Sequence, residues 1–117
     1  MATMNLEDIR AHCIAKEHVE ECFPFDEDTL VFKVNGKMFL LMGLTDHPLQ
    51  INVKCDPERA LLLRDEYTNV LPGYHMNKKH WNTIVINNVM SRKMIMEQID
   101  HSYDLVKGGN SKRKKEK

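Results

Sequence analysis

The chain has 117 residues, 42% hydrophobic and 29% charged, with 17 basic and 17 acidic side chains. That is one domain's worth of chain, enough for a single core without disulfides or metal, and no apolar run approaches the roughly 20 residues of a membrane span. The three cysteines, Cys13, Cys22 and Cys55, are odd in number and form no CxxC pair, which argues against a disulfide scaffold or a zinc ribbon and for reduced, semi-buried small hydrophobes.

The zero net charge conceals a segregation. Residues 1–28 carry a net of −6, residues 29–106 a net of +1, and residues 107–117 a net of +5. One end of the chain repels polyanions and the other attracts them. MATMNLEDIR shows no basic segment followed by an apolar one, so no secretory signal is expected and a cytoplasmic location is the default expectation.

In chain order, NLEDIRAHCIAKEH reads as a helix capped by Asn5, with Leu6, Ile9, Cys13 and Ile14 as its apolar stripe. Pro24 and the acids of FPFDEDTL break it. TLVFKVNGKMFLLM is the clearest local signal: two apolar, β-branched runs flank Asn35-Gly36, a pair that accepts the positive φ angles of a type I′ turn. Alternation places Leu30, Phe32 and Val34 on one face of the first strand and Phe39 and Leu41 on one face of the second. The apolar Val31, Met38 and Leu40 imply that part of the opposite face is covered too.

LQINVKC then reads as a strand, and Asp56-Pro57 opens a helix over PERALLLRDEY. HWNTIVINN reads as another strand, and Ser91 starts a last helix with Ile95, Ile99, Tyr103 and Val106 in register, ended by Gly108-Gly109. The order is α-β-β-β-α-β-α, with an extra short strand considered around residues 74–76. The fold class is α+β, a mostly antiparallel sheet with flanking helices. The domain spans 1–108, and 109–117 is a basic tail without apolar residues, expected to be disordered.

PGYHMNKKHWN, residues 72–82, concentrates functional residue types. His75 and His80 are five apart with two lysines between them, a spacing that suits neither a helix face nor a strand face for metal binding. Cys55 and a histidine can in principle meet, but Asp56 beside the thiol would raise its pKa, and no GxSxG, HExxH or phosphate-cradling glycine loop occurs. Neither cofactor nor metal is expected, and the chain reads as a non-enzyme. Lys78 and Lys79 can contact phosphate, Asn77 and Asn82 can position or read, and Trp81 can stack on a base. Lys33, Lys37, Lys54, Arg92 and Lys93 add charge to that reading. On these residues alone the structural reading is the stronger: Trp81 as a core anchor at a strand start, with Lys78 and Lys79 as a solvated loop tip. The acids among residues 17–28 read as a solvated face or as a surface of oxygen ligands for a hard cation.

FPFDEDTLVFKVNGKMF, INVKCDPERA, PGYHMNKKHWNTI and IDHSYDLV, in that order, resemble the successive motifs of MmcQ/YjbR-like proteins from about Leu6 to Val106. The resemblance implies a CyaY-like (frataxin-like) α+β fold and a DNA-binding function through a double-wing arrangement. By position it assigns Lys54, Tyr74, His75, Asn77, Lys78, Lys79, His80, Trp81 and Asn82 to the nucleic-acid site. It transfers no catalytic residue. The expected partner is therefore DNA, with no membrane and a monomer favoured. The frataxin-like fold also suggests an alternative, an acidic-face metal-binding or protein-interaction module with no nucleic-acid role.

Overall fold

The computed structural model describes residues 4–73, 77–87 and 89–108. Nine elements follow in the order α1 (Leu6–Ile14), β1 (Val19–Cys22), β2 (Thr29–Val34), β3 (Lys37–Gly43), β4 (Gln50–Lys54), α2 (Pro57–Glu66), β5 (Val70–Pro72), β6 (Trp81–Val85) and α3 (Arg92–Gly108). The six strands form one antiparallel sheet in the order β1-β2-β3-β4-β6-β5. Every element of the expected α-β-β-β-α-β-α order is present. Two strands are additional: β1, whose VEEC sequence is half acid, and β5, only three residues long. The short strand considered around residues 74–76 and the tail lie outside the described residues.

The local starts and stops follow the residues. Asn5 and Asp8 cap α1 reciprocally, each side chain accepting from the other's backbone N–H at 2.8 and 3.1 Å. Asn35 and Gly36 take φ of 52° and 82°, the left-handed pair that a tight two-residue hairpin turn needs. Asp56 caps α2 ahead of Pro57, and the Ser91 hydroxyl accepts from the Met94 N–H at 3.1 Å at the start of α3.

The three helices share one face of the sheet. Ile9 and Cys13 of α1, Ala60 and Leu63 of α2, and Ile95, Ile99, Tyr103 and Val106 of α3 join Leu30, Phe32, Val34, Leu40, Met42, Ile51, Val53 and Ile84 in one buried cluster. Burial pushes the Cys13 thiol up to about 12, so it stays a neutral core residue.

One face assignment is corrected. Phe39 does not share a face with Leu41: it packs at 5.4 Å, edge to face, on Tyr103 in the helix-side core, whereas Leu41 lies on the opposite face with Val31. The register shifts between Phe32 and Lys33, so that Phe32 faces Leu40 and Lys33 faces Met38. Phe39 is the extra residue, and this bulge turns both Phe39 and Leu40 toward the helices. Ser102 of α3 holds the irregularity, its hydroxyl donating to the Phe39 carbonyl at 2.5 Å and accepting from the Lys54 N–H at 2.8 Å.

His101 gives the fold an acid-sensitive point. Its Nε2 accepts from the Asp56 N–H at 3.2 Å, in front of α2. Burial lowers the pKa of His101, with the Arg59 charge adding to it against Asp56 and Asp104. A depressed folded-state value means that this stabilisation is present above the unfolded value of 6.5 and is lost as pH falls through the lower folded value. Thermal melts between pH 7.5 and 5 are expected to show falling stability. His101→Gln, which keeps an acceptor and removes the titration, should flatten that decline; an unchanged slope would assign it elsewhere. At lower pH, Asp100 takes over. Burial raises its pKa, but Lys16 at 2.5 Å and His12 at 2.7 Å outweigh that and hold it low.

Candidate functional site

β5 and β6 pair as a hairpin, and PGYHMNKKHWN runs from the last residue of β5 into β6. Pro72 pairs with Asn82 at the sheet edge, where its missing N–H costs nothing. Gly73 donates to the Trp81 carbonyl at 3.0 Å, and a Cβ at Gly73 would lie 2.9 Å from that of Trp81. The glycine is thus required by close strand approach. Asn77 closes the far side. Its side chain accepts from the Lys79 N–H at 2.9 Å, and its carbonyl accepts from the His80 and Trp81 N–H groups at 3.1 and 2.9 Å.

The stretch is pinned to α2 by Arg64, a residue the sequence reading did not single out. Its Nε donates to the Asn82 amide oxygen at 2.7 Å, and its Nη2 reaches the Lys78 carbonyl and, at 3.4 Å, the Trp81 carbonyl. Asn82 is 1% exposed. It positions the loop and does not face outward. The His80 carbonyl accepts from the Cys55 N–H at 2.7 Å, tying the loop to the end of β4 as well.

Trp81 is 7% exposed and packs with Val31, Leu41, Cys22 and Met38 on the sheet face away from the helices. Of the two readings of this indole, the buried anchor describes its position. Lys78 and Lys79 are exposed on the loop, and His80 is half-buried. His75, with Tyr74, lies outside the described residues.

The sheet brings to this second face a set of cations that are scattered in sequence. Lys54 is the register partner of Trp81, and Lys33 that of Met38, so both share the face of the indole. Lys33, Lys37 and Lys54 line an open groove of about 590 Å³ with Trp81, Met38, Pro24, Phe25 and the end of α3. Glu20 of β1 stands opposite Lys33 and is the nearest opposing charge in the ladder. Pairing across β2, β3 and β4 is what assembles the three lysines, and no local motif announces it. Arg92 is engaged elsewhere, 3.1 Å from Asp8.

Among the acids of residues 17–28, two are tied up locally. Glu21 takes a two-pronged contact from Arg10 at 2.8 Å on each arm, and the Asp26 carboxylate accepts from the Asp28 and Thr29 N–H groups at 2.9 and 2.8 Å. Among the described residues, no three His, Cys, Asp or Glu side chains are grouped to hold a metal ion. Burial raises the Cys55 pKa, the Asp56 charge adding a smaller push in the same direction, so the thiol is held neutral. No described helix is long and apolar enough to cross a membrane.

An antiparallel sheet with helices packed on one face is an architecture this chain shares with solved proteins. A Deinococcus radiodurans protein, DR2400, described as a DUF419 domain, superposes with a TM-score of 0.86 at 39% identity over 92% of this chain and 83% of its own. A Pseudomonas syringae protein superposes with a TM-score of 0.76 at 27% identity over 88% of this chain and 99% of its own. The YjbR family model matches residues 14–105, and the chain belongs to the YjbR family. Its relatives include YbdF of Escherichia coli O157:H7, 40% identical over 81% of this chain and 78% of that protein, and YjbR of Escherichia coli K12, 28% identical over 86% and 85%. Both are described as uncharacterized proteins.

Proposed function

We propose that this chain is a non-enzymatic DNA-binding module whose phosphate-contacting surface is the open face of the sheet. The observation that carries the reading is the convergence of Lys33, Lys37 and Lys54 on one groove. Lys78 and Lys79, exposed on the loop leading into β6, are further candidate phosphate contacts. Three to five lysine–phosphate contacts on a preformed surface supply a salt-sensitive, sequence-tolerant affinity. The backbone at Lys78 and Lys79 is held by Arg64 and Asn77, so little ordering of that segment accompanies binding.

A salt series with labelled duplex and single-stranded DNA tests this, using the full chain and a chain ending at Gly109. Log affinity is expected to fall linearly with log salt in both. Lys33→Ala/Lys37→Ala/Lys54→Ala should reduce the slope by roughly 2 to 3, about one per contact, and Lys78→Ala/Lys79→Ala by roughly 1 to 2. Binding confined to the full chain would assign DNA affinity to the tail and overturn the reading of the folded face. An absence of binding in low salt would remove the function altogether.

A further inference from the structure

The lysine groove lies at one end of the open face, where it also meets Lys37 and the end of α3. Past Phe25 lies a second groove of about 510 Å³, lined by Asp28, Asp46, Thr45, Asn52 and Leu41, and Phe25 itself lines both. The two grooves are neighbours along the same strands. Lys54 and Asn52 are two residues apart on β4, on one face and about 7 Å apart along the strand. Their ladder partners in β6, Trp81 and Thr83, continue both rungs, and the Thr83 hydroxyl donates to the Asn52 amide oxygen at 2.5 Å.

Over an apolar floor of Val31, Leu41 and Trp81, the face therefore carries cations at one end, then an exposed ring, then acceptors at the other. Phe25 is 62% exposed and is the residue common to the two grooves. The Asp46 carboxylate leans over Gly43, where a Cβ would meet its Oδ2 at 2.2 Å, so the glycine makes room for an acid at this place. A phosphodiester backbone running the full length of the face would be drawn to the first groove and repelled by the second. A group that is anionic at one end, flat in the middle and rich in hydrogen-bond donors at the other matches all three parts. The exocyclic amino group of a base is such a donor, and carboxylates and amides are its ordinary acceptors.

We propose that the open face takes one unpaired nucleotide of a DNA strand, with its phosphate against Lys33, Lys37 and Lys54, its base stacked on Phe25, and its amino edge at Asp28, Asp46 and Asn52. The inference rests on the DNA-binding reading and narrows it from polyanion binding to single-strand binding with base preference. Thymine carries no exocyclic amino group, so the face discriminates against it.

The test uses eight-residue oligonucleotides, dC8 and dT8, and a mixed-sequence duplex, titrated by fluorescence anisotropy into the full chain, into Phe25→Ala and into Asp28→Asn. Phe25 is exposed, so its replacement should leave the fold intact, and a thermal melt checks this. The expected result is dC8 binding at least threefold tighter than dT8 and tighter than duplex. Phe25→Ala should weaken dC8 five- to a hundredfold, the usual range for one base–aromatic stack. Asp28→Asn, which turns half of an acceptor into a donor, should shrink the dC8-over-dT8 preference. Duplex binding as tight as dC8, with Phe25→Ala without effect, would overturn this inference and leave the lysine-face reading standing. Failure of all three DNAs to bind would overturn both.

Discussion

Trp81→Ala is expected to cost about 3–5 kcal/mol, as for other buried aromatic truncations, and to lower the melting temperature by roughly 10–20 °C. The indole is 7% exposed and closes the small apolar cluster of Val31 and Leu41 that floors the open face. Its removal leaves a cavity on the sheet face away from the main core, bordered by the end of α3. Against a total stability of about 5–15 kcal/mol, such a loss is a large fraction. Trp81→Phe keeps most of the apolar contact and should recover more than half of the loss. A stacking platform would behave differently: alanine would weaken DNA binding and leave the melt unchanged. The two outcomes are cleanly separated by measuring both quantities on one variant.

This contrast shows which parts of the molecule are legible in the chain and which are not. Caps and turns are local, and Asn5, Asn35-Gly36, Asp56-Pro57 and Ser91 each mark a boundary that the structure contains. The α3 stripe is equally direct, since Ile95, Ile99, Tyr103 and Val106 are all buried. β1 escaped because an edge strand carries charge on its open side, so Glu20 and Glu21 mask the alternation. The face of Phe39 escaped because a bulge resets the period of two, and nothing in KMFLL announces the extra residue. The site was legible by composition and not by geometry. PGYHMNKKHWN gathers suggestive side chains, yet Asn82 and Trp81 turn out to be buried, and Asn77 spends its side chain on the loop itself. The lysines that share a groove come from three strands, and only the register puts them together.

Arg64→Ala is the second large effect, and it should appear at the loop before it appears anywhere else. Arg64 serves three acceptors at once: the Asn82 amide oxygen, the Lys78 carbonyl and the Trp81 carbonyl. Removing it leaves a buried amide oxygen without its donor, a loss of about 1–3 kcal/mol in itself, and the charged character of the donor raises the total to about 2–4 kcal/mol. Arg64→Lys should recover less than half, because one ammonium cannot reproduce a planar fork directed at acceptors on both sides of the hairpin connection. A double-mutant cycle with Asn82→Ala isolates the pair and should return a coupling of about 1–3 kcal/mol. Hydrogen exchange distinguishes local release from general weakening. The Lys79, His80 and Trp81 amides bond to Asn77 inside the pinned loop, so in Arg64→Ala they should exchange faster while the Ile51 and Ile84 amides of the central strands keep the rates set by global unfolding. Uniform acceleration across all amides would mean that Arg64 supports the sheet as a whole. Acceleration confined to 79–81 would mean that it sets the shape of the basic edge, and DNA affinity should then fall in Arg64→Ala although the side chain itself touches no phosphate.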